Sequence, residues 1–163
     1  MSSPSLTALA TAVLHVDRNP ERILEIRCGD GDGVMFLARE FPAARVRGVD
    51  ADQSLVRAAT ARVGLDPEGR VAFKHGRRKS LPYPDDFFDL VVQRHGFLLP
   101  MEVSRVLRSS GNIVYVAAQA RWWWPPRGRP NRLPSIMRRL GFETVKTGEA
   151  NGEAFYVGRL VGD

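Results

Sequence analysis

Cysteine is almost missing from this 163-residue chain; Cys28 is the only one. A single thiol excludes an internal disulfide framework and fits a reducing compartment. Lysine is nearly as scarce, confined to Lys74, Lys79 and Lys146, so arginine carries almost all the positive charge. No apolar run approaches the length of a membrane span. Residues 1–16 lack the basic leader and long apolar core of a secretory signal. The expectation is a cytoplasmic protein with no membrane segment. Its simplest organisation is a single domain over residues 1–163, long enough to bury a core of its own.

What is present is ordinary in amount and unusual in arrangement. The hydrophobic fraction of 44% is that of a globular protein. The net charge of +6 suits an acidic or polyanionic partner, and equally suits an arginine-rich surface that is merely solvated. The organising stretch is Ile23-Leu24-Glu25-Ile26-Arg27-Cys28-Gly29-Asp30-Gly31-Asp32-Gly33. Apolar and charged residues alternate up to Ile26, turn-forming residues follow, and Val34, Leu37, Ala38 and Phe41 then recur at helical spacing. That predicts strand, glycine turn, helix. Glycine lets a backbone bend tightly and lets a ligand come close. A turn of this kind at the carboxyl end of a central strand usually serves a nucleotide-like ligand.

The rest of the chain alternates in the same way. A leading helix occupies the first twenty residues, ended by Asn19-Pro20. Strands are predicted at 22–26, 45–50, 71–75, 87–92 and 113–118, with helices at 34–41, 53–63 and 98–107. Ser109-Ser110-Gly111 should turn the chain into the fifth strand. Residues 121–134, rich in arginine, tryptophan and proline, should form a loop before a short helix at 135–140. Two last strands, 142–146 and 155–160, are joined by a turn over 148–152. Alternating strands and helices predict a doubly wound α/β sheet with an antiparallel hairpin at its edge.

Four stretches, in order, resemble one known family, the class I S-adenosylmethionine-dependent methyltransferases of small molecules. Leu24-Glu25-Ile26-Arg27-Cys28-Gly29-Asp30-Gly31 is similar to its first motif, and Gly48-Val49-Asp50 to its second-strand acid. Residues 81–91 resemble the approach to its fourth strand, and residues 102–111 the helix and turn before its fifth. The resemblance implies a Rossmann-like α/β fold with a seven-stranded, mostly parallel sheet whose last strand is antiparallel. It implies S-adenosylmethionine as cofactor, held by Glu25, Gly29, Gly31, Asp50, Ala51, Arg77 and Gln93. Asp50 would accept hydrogen bonds from both ribose hydroxyls. No metal is implied.

The chain departs from that family at two positions. Arg27 stands where the family usually has glycine, and strand alternation puts it on the face of Glu25, bordering the methionine pocket unless it pairs with that carboxylate. Arg77 stands where an aspartate normally accepts the adenine amino group, and a guanidinium has no acceptor to offer. Both lie where a sulfonium would be repelled: two unit charges ~4 Å apart repel by about 4 kcal/mol at an effective dielectric of 20.

On the substrate side, the fourth strand runs into Gln93-Arg94-His95-Gly96-Phe97. His95 is the general-base candidate, set against a purely structural hydrogen-bonded histidine. Arg94, Trp122 and Trp123 are the candidate substrate contacts. Three successive tryptophans cannot share one side, so some of them pack inward or meet a partner, and a second copy or another subunit could cover the crevice there. Nucleic acid is the less favoured partner, because no recognised binding module is appended. Three readings follow: a methyltransferase acting on a small molecule, a degenerate non-catalytic binding or assembly subunit, and a pocket kept for an anionic ligand.

Overall fold

A computed structural model of the chain describes residues 6–16, 19–64, 66–117 and 132–162. The elements are α1 (Thr7–Val13), β1 (Arg22–Ile26), α2 (Asp32–Glu40), β2 (Arg45–Asp50), α3 (Gln53–Val63) and β3 (Val71–His75). They continue with β4 (Phe88–Arg94), α4 (Pro100–Val106), β5 (Leu107–Ala117), α5 (Arg132–Arg139), β6 (Phe142–Ala150) and β7 (Glu153–Leu160). Seven strands form one sheet in the order β3-β2-β1-β4-β5-β7-β6. β1 to β5 pair in parallel, and β7 runs antiparallel to both β5 and β6. The anticipated seven-stranded Rossmann-like sheet is therefore present, with β7 inserted between β5 and its hairpin partner β6.

Burial explains which residues build it. On one face Leu9, Ala12, Val34 and Leu37 of α1 and α2 pack on Ile23, Val46, Leu90, Val92 and Val114. On the other, Val103, Val106 and Met137 of α4 and α5 pack on Leu24, Val91, Ile113 and Tyr156. β1 and β4 lie between helices on both sides, so their apolar runs are nearly continuous. Asp52 caps α3 by accepting from the N–H groups of Ser54 and Leu55. The stretch before β4 is fastened to α4: Arg105 donates to the carbonyls of Leu81 and Tyr83, and Glu102 accepts the Leu81 N–H at 3.0 Å.

Several boundaries move. β5 begins at Leu107, directly after α4, because the strand absorbs the Ser109-Ser110-Gly111 turn; Ser110 adopts φ +66° inside it. α5 begins at Arg132 rather than at residue 135, and Pro134 falls in its first turn, where a missing N–H costs nothing; residues 121–131, expected as a loop, lie outside the described residues. The closing hairpin turns on Asn151 and Gly152, both at positive φ, which matches the twist of the flanking strands better than a longer turn would. Among the described residues no helix is long and apolar enough to cross a membrane.

Candidate functional site

The glycine turn is built from three left-handed residues, Arg27 at φ +58°, Gly29 at φ +56° and Gly31 at φ +89°. It is tied to the end of β2. Cys28 N–H donates to the Val49 carbonyl at 3.1 Å, and Gly29 N–H donates to Asp50 Oδ2 at 3.0 Å. Asp50 Oδ1 accepts the Asp52 N–H at 2.9 Å. The two glycines differ. A Cβ on Gly29 would meet nothing within 4 Å, so its backbone faces open space. A Cβ on Gly31 would come within 2.8 Å of the Phe73 ring, so Gly31 packs inward and contributes shape rather than access.

Beneath the turn lies a closed charge cluster. Arg94, with its side chain 5% exposed, donates through Nη2 to Glu25 Oε1 at 2.8 Å and to Asp32 Oδ1 at 2.7 Å. Glu25 is completely buried, and burial pushes its carboxyl up to about 7 against the pull of Arg94. Glu25 Oε2 and Arg94 Nη1 are buried without a hydrogen-bond partner. The expected contacts of Arg94 with substrate and of Glu25 with cofactor do not fall at the cleft above the turn: both carboxylate partners hold Arg94 under α2, and Glu25 Oε1 is taken up by Arg94. Arg27 does not pair with Glu25 either. Its positive φ breaks the strand alternation, and its guanidinium lies across Gly96, where a Cβ would stand 2.0 Å from Arg27 Nη1.

Above the turn is a cleft of about 560 Å³, lined by Ile26, Arg27, Val49, Asp50, Ala51, Asp52, Gln53, Gly76 and Arg78. Ala51 lines it, its carbonyl 3.1 Å from His75 Nε2. Arg77 is not. Gly76 N–H is held by the Asp50 carbonyl, and Ser80 N–H donates to the Arg77 carbonyl, so the chain doubles back and leaves the Arg77 side chain in solvent. Its neighbour Arg78 takes the place at the cleft and donates to the Phe97 carbonyl at 3.0 Å. The lining thus carries two guanidiniums and two carboxylates.

The end of β4 runs into a turn over residues 95–97; neither Gln93 nor His95 lines the cleft or the pocket behind Phe97. Gln93, buried and outside the cleft, donates its amide to the carbonyls of His95 and Phe97 and so shapes the turn. Tyr115 Oη donates to the Gly96 carbonyl at 2.7 Å. His95, at φ +68°, places Nε2 3.2 Å from Oε1 of the buried Glu153 on β7. Behind Phe97 is a second pocket of about 340 Å³, lined by Phe97, Leu98, Pro100, Tyr115, Arg132, Leu133 and Ile136. Burial raises the Tyr115 hydroxyl, while Arg27 and then Arg78 pull it down, so both guanidiniums act on the pocket's floor. Cys28 is buried, and desolvation above all pushes its thiol up to about 12, which suits packing and not nucleophilic work.

Sequence reasoning overlooked Arg78, Tyr115 and Glu153. Arg78 was visible as the second half of an Arg-Arg pair, but Glu153 had no local signal, because it meets His95 across 58 residues. Trp122 and Trp123 lie outside the described residues. Among the described residues no group of three or more His, Cys, Asp or Glu side chains could hold a metal ion.

Comparison with known proteins bears on the family and the fold. Residues 23–114 match a protein family described as a methyltransferase domain. A fatty-acid O-methyltransferase of Mycolicibacterium smegmatis is 30% identical over 162 residues, covering 92% of this chain and 58% of that protein. A phthiotriol/phenolphthiotriol dimycocerosates methyltransferase of Mycobacterium ulcerans is 30% identical over 152 residues, covering 84% of this chain and 54% of its own. The chain therefore spans little more than half the length of these relatives. A SAM-dependent methyltransferase structure from Aquifex aeolicus superposes with a TM-score of 0.74 at 15% identity, covering 94% of this chain and 89% of that one, a likeness of fold.

Proposed function

The chain belongs to the methyltransferase domain family, and from that premise we propose that it transfers a methyl group from S-adenosylmethionine to a small-molecule nucleophile with an apolar body. The observation that carries this reading is the pairing of Asp50 with an unobstructed Gly29. Each Asp50 oxygen accepts one backbone N–H and keeps lone-pair capacity for a ribose hydroxyl. The open side of Gly29 leaves backbone over which the donor's amino-acid part can pass. A cleft of about 560 Å³ lies within the ~300–1,000 Å³ usual for small-molecule sites. The residues present fit the cofactor. Asp50 would hold the ribose, and Ile26, Val49 and Ala51 would offer the apolar surface for the base.

When bound, S-adenosylmethionine supplies a methyl carbon made electrophilic by its sulfonium. The protein's task is then alignment and exclusion of water, worth several kcal/mol in a well-held pair. Asp50 and Asp52 offset Arg27 and Arg78 in the lining, which relieves the repulsion a sulfonium would meet. His95 serves as base for an acceptor that carries its proton at neutral pH, with Glu153 fixing the ring's orientation. The two curated relatives act, by name, on lipid-like molecules, in keeping with the apolar pocket behind Phe97. Arg77 faces solvent, but Arg78 brings a guanidinium to the cleft in its place, so a degenerate, non-catalytic binding subunit stays the alternative reading.

Isothermal titration tests the cofactor reading. S-adenosylmethionine and S-adenosylhomocysteine should bind with dissociation constants on the order of micromolar. Heat from neither, with the protein folded, overturns it.

A further inference from the structure

We propose that the amino end of the sheet carries a second ligand site, remote from the donor cleft, that takes a small organic phosphate.

The site exists because one crossover has no helix. α2 joins β1 to β2, α3 joins β2 to β3, and α4 joins β4 to β5. Residues 76–87, between β3 and β4, form none. α4 packs on one face of the sheet, and on that same face Tyr83 and Phe87 of the helix-free connection pack against the core. Beside them is a cavity of about 590 Å³, as large as the donor cleft. Its walls are Ala43, Phe87 and Phe88 with the guanidiniums of Arg22, Arg45 and Arg47, and Glu21 is its one acid. Arg22, Arg45 and Phe88 open β1, β2 and β4, whereas the donor cleft is lined by Ile26 and Asp50, which close β1 and β2. The two cavities thus lie at opposite ends of the same strands.

The three arginines are set side by side. Arg22 and Arg45 are register partners across β1 and β2. Arg47 follows Arg45 on the same face of its strand. Two of them are held in place. Arg22 Cζ lies 4.5 Å from the centre of the Phe87 ring, and its N–H donates to Asp89 Oδ2 at 2.9 Å. Arg47 donates through Nη1 to the carbonyls of Val46 and Arg70 and through Nη2 to that of Gly69. Carbonyls position this guanidinium without cancelling its charge. Burial raises the Tyr83 hydroxyl to about 12 and Arg47 is the cation that opposes it, so the charge reaches the aromatic cluster. Asp89, next to Phe88 in the chain, is already engaged by the N–H groups of Glu21 and Arg22 and by Arg108.

Like charges on neighbouring strands repel, so this placement by itself costs stability, and an anion among the guanidiniums offsets that cost. Three guanidiniums against one carboxylate leave two positive charges over. A phosphomonoester carries roughly −1.5 to −2 at neutral pH and matches that excess better than a single carboxylate does. Guanidinium forks also fit pairs of phosphate oxygens. Ala43, Phe87 and Phe88 supply an apolar wall for the organic part of such a ligand.

Titrating phenyl phosphate, inorganic phosphate and phenol into the full chain decides the question. Phenyl phosphate should bind with a dissociation constant on the order of 100 µM, inorganic phosphate several-fold more weakly, and phenol not measurably. Arg45→Gln, at an exposed position of β2, should weaken phenyl phosphate roughly tenfold, and Arg22→Gln should do the same. Without phosphate, Arg45→Gln should melt no lower than the wild type, because it relieves repulsion. Arg78→Gln should leave phenyl phosphate within about twofold, and saturating S-adenosylhomocysteine should not displace it. Four results would overturn the proposal: no binding of phenyl phosphate, inorganic phosphate bound as tightly, folded Arg45→Gln and Arg22→Gln variants that bind normally, or binding lost with Arg78→Gln or with S-adenosylhomocysteine. Phosphatidylglycerol vesicles and a short oligouridylate are the comparison arms. Tight binding of either that phenyl phosphate fails to compete would also overturn it, in favour of an extended surface for a bilayer or a nucleic-acid strand.

Discussion

The two sides of the glycine turn use the same residue types for opposite ends. Below it, Arg94 is buried between Glu25 and Asp32, and its charge is spent on holding β4, β1 and α2 together. Above it, Arg27 and Arg78 line a cleft beside Asp50 and Asp52, and among the described residues no carboxylate is paired to either. A desolvated charge must be matched inside the protein, whereas a charge at a cleft can wait for a ligand. The comparison teaches that a guanidinium's role near such a turn depends on which side the backbone presents it, and at Arg27 a positive φ made that choice.

Removing the inner arginine should have the largest effect. Arg94→Met leaves Glu25 and Asp32 facing each other without their counter-ion and should lower unfolding free energy by about 3–5 kcal/mol in urea titration. A loss under 1 kcal/mol would erase the distinction between the two sides. Next, Asp50→Asn should keep the fold while weakening S-adenosylhomocysteine at least tenfold by calorimetry. Unchanged affinity would remove Asp50 from the site.

The inner cluster should also give the protein a characteristic pH response. Glu25 binds its proton more tightly folded than unfolded, so between pH 4.5 and about 7 the native state holds the extra proton. Stability should therefore fall as pH rises through that window, and Glu25→Gln should flatten this part of the Tm-against-pH curve. A wild-type curve that rises over the same range would show that pairing with Arg94 outweighs burial. The smallest effect belongs to the outer side. Arg27→Gly relieves a left-handed arginine and should stabilise the fold by about 1 kcal/mol or less in urea titration. Marked destabilisation would mean that Arg27 is structural after all.

Much of this was legible beforehand. β1, β2, α3 and β3 lie where their apolar periods and caps put them, because local pattern and burial agree there. The acid closing β2 was legible as well. The paired roles were not. Glu25 meets Arg94 across 69 residues, and no local pattern distinguishes that pairing from one with Arg27. Arg78 replaced Arg77 at the cleft because a single reverse turn redirected the side chains.

The amino-acid order alone determined a parallel sheet covered on both faces, a sharp turn after its central strand and an acid beside that turn, since these follow from periodicity and backbone freedom. Only the tertiary structure decided which charges are buried and which stay available. That choice depends on where distant strands bring their ends together and on the desolvation each charge meets there.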